Sequence, residues 1–467
     1  MQNVIFGIVT GSTLAVATIG FAMVRQTENF LNIAHAQVMA LGAFVGVVLV
    51  EKYDMNIFLA GGITIVGVGL LGVGPRGLSQ ARAYMLHPRT ELVALSDIDT
   101  ERLATAAAEF GLERTYTEYR EMLDRENLDV INIPTRTNLH APLTLGVLEH
   151  QAPKVVVLEK PMATRLVDAD QMIERAEATG ARLAVHHQNR TTPSFQVAER
   201  LINAGEIGPL TSIKIRGKGY YGGYDLLNIE THVLNATRRF AGEVHSVMAM
   251  CQTGGRPTRV DDIVEGPNGF GLIAGEDISA MYAFANGLNV FAEVHHRSVP
   301  SDGWIHIKIY GEEGAICLFN ARELFVRHQR DAVVGDVPWE KHELADTDRY
   351  LHGYDYYGEF PGVQDADDFW MVEETVRMLD EDREHECDGH EGRAVMEMME
   401  GTWQSHFAGR RVEFPLTQRE HPLHRERVAA GLPVSDPDRA KLRYAEWLPG
   451  ERERIARAAM NSSETTH

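Results

Sequence analysis

Cysteine is scarce in this chain: Cys251, Cys317 and Cys387 are the only three in 467 residues, far apart and without C-x-x-C spacing. That excludes a disulfide framework and a cysteine zinc cage, and it fits a reducing compartment. Positive charge is also in deficit, with 45 Lys and Arg against 66 Asp and Glu and a formal net charge of -21. A polyanion would be repelled, so nucleic acid is not an expected partner. The third scarcity is local, because no Lys, Arg, Asp or Glu stands before Arg25. Val4 to Val24 therefore has the ~20 apolar or small residues that span a bilayer as a helix, and a second uncharged run goes from Asn29 to Val50. Without a positive n-region, and with that second run behind it, the segment does not read as a signal peptide. Membrane insertion through residues 4–50 is the better expectation.

What the chain does have begins with a strand and a glycine turn. A third uncharged run, Met55 to Gly74, cannot be both a spanning helix and a nucleotide-binding strand; Ile65 to Leu71 is assigned to the strand because the glycines behind it need one. Gly72-Val73-Gly74-Pro75-Arg76-Gly77 matches G-x-G-x-x-G and opens a helical run from Leu78 to His87. The first glycine allows a tight turn, the second lets backbone approach a pyrophosphate, and the third lets helix pack on strand. Glu91 to Ser96 reads as the next strand and ends in Asp97, placed to accept hydrogen bonds from a ribose diol. A carboxylate there repels a 2′-phosphate, which favours NAD while leaving NADP open. Asp97 or Asp99 equally suits a cap for the helix Glu101 to Phe110, which Gly111 stops.

Strand and helix patterns keep alternating: a helix at Glu118 to Leu123, a strand at Leu128 to Ile133, a helix at Ala141 to Glu149, the strand Val155 to Leu158, a helix at Val167 to Ala178 and a strand at Arg182 to His186. Such alternation with short connections predicts a doubly wound parallel sheet over residues 63–187. Glu159, Lys160 and Pro161 follow four buried-type residues, so the two charges fall at the carboxyl edge of the sheet, where open α/β sheets bind ligands. Thr135, Asn138 and His140 lie at the same edge and are candidates for the nicotinamide end, with His140 also suited to capping a helix.

From Leu210 the period changes to two, with tight turns at Asn286-Gly287 and Glu313-Gly314, so residues 188–416 are expected to form an α+β domain with a large, mostly antiparallel, open-faced sheet. The uncovered face is an expected surface for a second copy of the chain. In the predicted helix Asp225 to Phe240, Asn228, His232 and Asn235 fall at i, i+4 and i+7 and share one polar face, which suits a wet cleft. The run Glu384 to Glu391 is rich in metal-binding side chains, but its spacing fits no tetrahedral or H-E-x-x-H site, and no metal is expected. His186-His187 reads as a strand-end pair, while Asn189 and Arg190 are placed to touch substrate. Residues 417–467 form a charged, proline-punctuated tail anchored only at Tyr444 to Leu448, for which packing over a neighbouring subunit and fraying are both open.

Two resemblances follow from these residues. Thr10 to Ala15, Asn29 to His35 and Met39 to Ala43 resemble the start of a branched-chain amino-acid ABC transporter permease, over about residues 1–60 only. Too few helices follow to enclose a pathway, which leaves a membrane tether on an enzyme or a join without function. The glycine motif, Asp97, Pro134 to His140, Glu159-Lys160-Pro161, the Asn228 to His232 spacing and Ser405 to Val412 resemble the Gfo/Idh/MocA family of NAD(P)-dependent oxidoreductases, over about residues 63–416. The resemblance implies a Rossmann domain joined to an open-faced sheet domain, NAD, with NADP admissible, as cofactor, and hydride transfer at a hydroxyl carbon of a sugar, inositol or similar polyol. It implies Lys160 beside the reacting carbon and His232 as general acid/base, in a cytoplasmic catalytic part. Asn228 stands where many members carry Asp, and Asn orients a hydroxyl without holding a proton. That departure keeps a second class in play, a nucleotide-binding sensor without turnover.

Overall fold

The computed structural model describes residues 65–296, 305–319, 322–328, 338–345 and 363–464, with side chains of the last stretch from 366 to 460. The hydrophobic runs at residues 4–50 and the permease-like segment lie outside the described residues. Among the described residues, no helix is long and apolar enough to cross a membrane.

The first domain carries β1 (Val66–Leu71), α1 (Pro75–Leu86), β2 (Thr90–Ser96), α2 (Thr100–Phe110), β3 (Thr115–Tyr116), α3 (Tyr119–Arg125), β4 (Val130–Ile133), α4 (Thr137–His150), β5 (Val155–Leu158), α5 (Leu166–Thr179) and β6 (Arg182–Val185). Its six strands lie in the order β3-β2-β1-β4-β5-β6, the doubly wound arrangement. β5 is at its heart: Val155 to Leu158 pair in parallel with β4 on one side and β6 on the other, and all four side chains are buried. Burying four such side chains stabilises by roughly 1.5–3 kcal/mol each, which holds the residues that follow the strand in a fixed place. Asp99 is the cap of α2, its Oδ1 accepting the Arg102 N–H at 3.0 Å, and Gly111 ends the helix at φ +64. α4 starts four residues before the predicted Ala141, because Pro142 removes only its own N–H from the ladder and the helix tolerates it. Asn138 and His140 therefore sit in its first turn.

The second domain runs through α6 (Pro193–Asn203), β7 (Leu210–Arg216), the short α7 (Gly222–Asp225), a π-helical turn at Leu226–Glu230, α8 (Thr231–Ala241), β8 (Val244–Thr253), β9 (Arg256–Pro257), β10 (Val264–Glu265), β11 (Leu272–Ile273), β12 (Asp277–Phe284), β13 (Asn289–Val294), β14 (His306–Gly311), β15 (Gly314–Phe319), β16 (Glu323–His328) and β17 (Glu340–His342). α9 (Val363–Asp380), α10 (Gly389–Ala408) and β18 (Val412–Glu413) complete it. Among the described residues, nine strands lie in the order β17-β16-β15-β14-β7-β13-β12-β8-β18, with β9 paired to β8 as the tenth. The sheet is mixed, because β7 and β13 run parallel while their other neighbours are antiparallel. The predicted single helix Asp225 to Phe240 is three pieces, since five residues from Leu226 widen into a π turn.

The described part of the tail packs on its own chain. It folds as α11 (Pro422–Ala429), α12 (Pro437–Lys441) and α13 (Tyr444–Glu464), and Trp447 is buried against Tyr221 of the chain's own second domain.

Candidate active site

The glycine turn after β1 has the shape of a phosphate cradle. Gly72 takes φ +107, a conformation that side chains rarely adopt, and a Cβ on Gly77 would stand 2.1 Å from the Gly72 carbonyl oxygen. Gly74 caps α1 with open space where a Cβ would be, so an anion can approach the free N–H groups of the helix end. Asp97, half-buried at the end of β2, accepts the N–H of Val73 through Oδ2 and that of Asp99 through Oδ1, both at 2.9 Å. These contacts join the glycine turn to the carboxylate and leave acceptor capacity on both oxygens, so the residues present fit a dinucleotide.

Arg76, although inside the motif, is committed elsewhere. Its Nε donates to Glu159 Oε1 at 2.7 Å, and its Nη1 and Nη2 donate to Asp368 Oδ2 and Oδ1 at 3.1 and 2.9 Å. Gln80 Nε2 adds a 2.6 Å bond to Glu159 Oε1, and Gln80 Oε1 in turn accepts from Asn132 Nδ2 at 2.7 Å. Burial alone would push the Glu159 carboxyl up; the Arg76 guanidinium, His186 and Lys160 together outweigh it and hold the group at about 2. Glu159 thus sits inside a satisfied ionic network under the sheet edge, sealed by α9.

Lys160, one residue on, points the other way. Its Nζ donates to the Asn228 carbonyl oxygen at 2.7 Å and to Asn228 Oδ1 at 2.8 Å, so the ammonium of the first domain is received by the π turn of the second. Burial pulls its pKa down to about 8 against the pull of Glu159. A π turn frees backbone carbonyls from regular i to i−4 bonding and is frequent at functional sites. His232 is buried, its Nδ1 has no partner among the described residues, and burial, with Lys160 next, holds its pKa well below the usual value. Asn235 is fully buried as well, with Nδ2 unpartnered among the described residues.

His187, which the sequence reads as one of a strand-end pair, joins this cluster. Its ring stands 5.6 Å from that of His232 at 89°, Nε2 bonds Thr231 Oγ1 at 2.9 Å, and Nδ1 is unpartnered among the described residues. Burial, then Lys160, pulls it down to about 3. The signal that could have found it is positional: His187 follows β6 as Lys160 follows β5, at the same carboxyl edge. Asp225 precedes the π turn and Glu230 is its last residue, and neither carries a sequence signal. Asp225 Oδ2 accepts from Gly219 N at 2.9 Å and Tyr220 N at 3.2 Å, and burial raises its pKa to about 6.

The other candidates have plainer positions. His140 is fully buried and spans Pro161 O at 3.0 Å and Thr135 O at 3.2 Å, bracing two edge loops against each other. Thr135 packs its Cγ2 over Gly72, and Asn138 is exposed on the first turn of α4 beside Gly269. Arg190 is paired with Glu391 at 2.7 Å. In the run 384–391, Asp388 caps α10 by accepting Glu391 N at 2.8 Å, and among the described residues no group of three or more side chains could hold a metal ion.

A glycine cradle, an acidic strand end and a lysine that spans to a second α/β domain define a two-domain NAD-binding oxidoreductase. Residues 63–187 match the Gfo/Idh/MocA oxidoreductase family's NAD-binding Rossmann fold, and residues 200–414 match its C-terminal alpha/beta domain, so the chain belongs to that family. It is 25% identical over 380 residues to D-apiose dehydrogenase of Paraburkholderia graminis, covering 76% of this chain and 91% of that protein. It is 26% identical over 295 residues to levoglucosan dehydrogenase of Pseudarthrobacter phenanthrenivorans, covering 55% of this chain and 73% of that protein. Among solved structures, levoglucosan dehydrogenase in complex with NADH and levoglucosan has the same fold, with a TM-score of 0.63 at 20% identity over 76% of this chain and 100% of that one.

Proposed function

We propose that the chain transfers hydride between NAD and a hydroxyl carbon of a sugar, inositol or related polyol. The observation that carries this reading is the Lys160 ammonium, depressed to about 8 and held by Asn228 in a cluster of buried, partly unpartnered His and Asn side chains. The names of the relatives above, dehydrogenases of levoglucosan and D-apiose, support the substrate class. Bound NAD supplies the hydride acceptor for oxidation. The chain's own residues then handle the proton. A base must take it from the hydroxyl as the alcohol becomes a carbonyl, and His232, neutral at working pH, has the free valence to accept it. Lys160, entering the step as the amine, shares that proton and as the resulting ammonium stabilises the developing alkoxide, while Asn228 orients Lys160 through two acceptors. Gly72, Gly74, Gly77 and Asp97 hold the dinucleotide, Thr135, Asn138 and His140 shape its nicotinamide end, and Arg76 and Glu159 brace that end from beneath.

The test is NADH formation over a polyol panel with the full-length chain, beside a fluorescence titration of NADH binding. Reduction of NAD by no polyol, with NADH bound normally, would transfer the reading to the sensor class that Asn228 keeps open. Three buried free thiols suit a reducing, cytoplasmic setting for the catalytic part. The open sheet face presents a row formed by Met248, Met281, Phe291, Lys214 and Lys308 across five paired strands, with Met248 45%, Met281 41% and Phe291 39% exposed. A second copy of the chain is the occupant this face suits.

A further inference from the structure

The family match ends at residue 414, and the chain beyond it lies against two loops that border the site. The Leu442 carbonyl accepts the N–H of Asn268 at 2.9 Å, and Asn268 holds φ +60, uncommon for a residue with a side chain. Its neighbour Gly269 meets the first turn of α4 so closely that a Cβ would stand 2.3 Å from Asn138 Oδ1. Trp447 donates Nε1–H to Glu265 O on the same loop at 2.8 Å. Tyr444 grips the other loop: its hydroxyl oxygen accepts the N–H of Tyr221 at 2.8 Å, and its ring stacks on Tyr224 at 4.2 Å and 20°. Tyr224 leads directly into Asp225 and the π turn that presents Asn228 to Lys160. One short segment, Leu442 to Trp447, therefore holds both the loop on Asn138 and the segment that leads into the π turn of Asn228.

We infer that the C-terminal extension is a working part of the substrate side of the active site, with Tyr444 the positioning residue that fixes the approach of loops 219–224 and 265–270. The substrate named in the test rests on the polyol reading above; the geometry does not. Orientation at a reacting centre is steep, and a 1 Å misplacement from a remote change is able to lower rates by ~10²-fold.

The experiment compares full-length Tyr444→Ala and Tyr444→Phe with the parent chain in polyol kinetics, NADH titration, thermal melting and hydrogen exchange. Tyr444→Ala is expected to raise KM for the polyol about 10-fold and lower kcat/KM by ~10- to 100-fold, with NADH affinity unmoved. Tyr444→Phe keeps the stacked ring and loses the acceptor for Tyr221 N–H, so an intermediate, several-fold rise in KM is expected from a variant that folds. A lower melting temperature with unchanged KM and kcat would reduce the extension to a structural support and overturn the inference. Should the parent chain reduce NAD with no polyol, the polyol reading fails by itself, and hydrogen exchange decides this one. Loops 219–224 and 265–270 must lose protection in Tyr444→Ala while β4 and β5 keep theirs; unchanged protection in the loops overturns it.

Discussion

Glu159 and Lys160 are adjacent at the end of one strand, and their surroundings are opposites. The Glu159 side is closed: Arg76 and Gln80 reach it, Arg76 is shared with Asp368, and Ser79 Oγ donates to Asp368 at 2.5 Å. The Lys160 side is open in its hydrogen bonding, with Nδ1 of His187, Nδ1 of His232, Oδ1 of Asp225 and Nδ2 of Asn235 buried and unpartnered among the described residues. Leaving a buried polar atom unpaired costs ~1–3 kcal/mol, so a cluster of them marks a place where the fold gives up stability for a ligand. The comparison teaches that a conspicuous charge is structural when its surroundings answer it completely and functional when they do not.

The largest expected effect tests that division directly. Lys160→Met should lower kcat by ~10²- to 10⁴-fold, the range for a lost acid–base group, with NADH binding and the melting temperature little changed. Glu159→Gln should do the reverse and cost about 3 kcal/mol in denaturant unfolding, because it leaves Arg76 short of one partner in a buried site. The pH dependence carries a matching sign. A carboxyl at about 2 in the folded chain against 4.5 when free stabilises fully above pH 4.5 and loses that contribution as pH falls toward 2. The loss, about 3 kcal/mol from a shift of that size, should be absent in Glu159→Gln. Equal collapse of kcat in both variants would erase the distinction between the two residues.

A smaller effect sharpens it. Lys160, at about 8, and Asp225, at about 6, are the cluster's groups with a pKa near working conditions, whereas His187 and His232 are both held low and stay neutral. Polyol oxidation needs the deprotonated amine, so kcat/KM should rise with pH through an inflection near 8, and the reduction direction should fall through the same point. An inflection well below the ordinary histidine value of ~6.5 would move the titrating role to His232.

Much of this was legible in the residues. The β-branched run before Glu159, the glycine turn and Asp97 each follow from backbone rules that act locally, so the Rossmann half and its carboxyl edge could be read in order. What escaped is what depends on distant partners. Asp368 lies 292 residues from Arg76, and nothing local distinguishes it from any other acid on a helix. The π turn escaped because one extra residue in a helical repeat leaves hydrophobic periodicity almost unchanged, and with it went the reason Asn228 offers both its carbonyl and its side chain to Lys160. The anchor at Tyr444 to Leu448 was legible in the tail, but its partners were not, because Tyr444 and Trp447 find them more than 180 residues upstream.

The smallest expected change is the most discriminating, because it leaves the fold and the hydrogen-bond geometry in place. Asn228→Asp keeps the backbone oxygen 2.7 Å from Lys160 Nζ and replaces the neutral Oδ1 at 2.8 Å by a carboxylate oxygen. An opposite charge at that distance favours the ammonium and raises a neighbour's pKa by ~1–3 units. The inflection in the oxidation profile should therefore move from about 8 toward the alkaline side. Oxidation at neutral pH should slow by about 10-fold for each unit of that move, until the new carboxylate takes over the proton. Above the new inflection the parent and the variant should converge. If the profile stays where it was, Lys160 is not the group that titrates, and its bonds to Asn228 only fasten the two domains together.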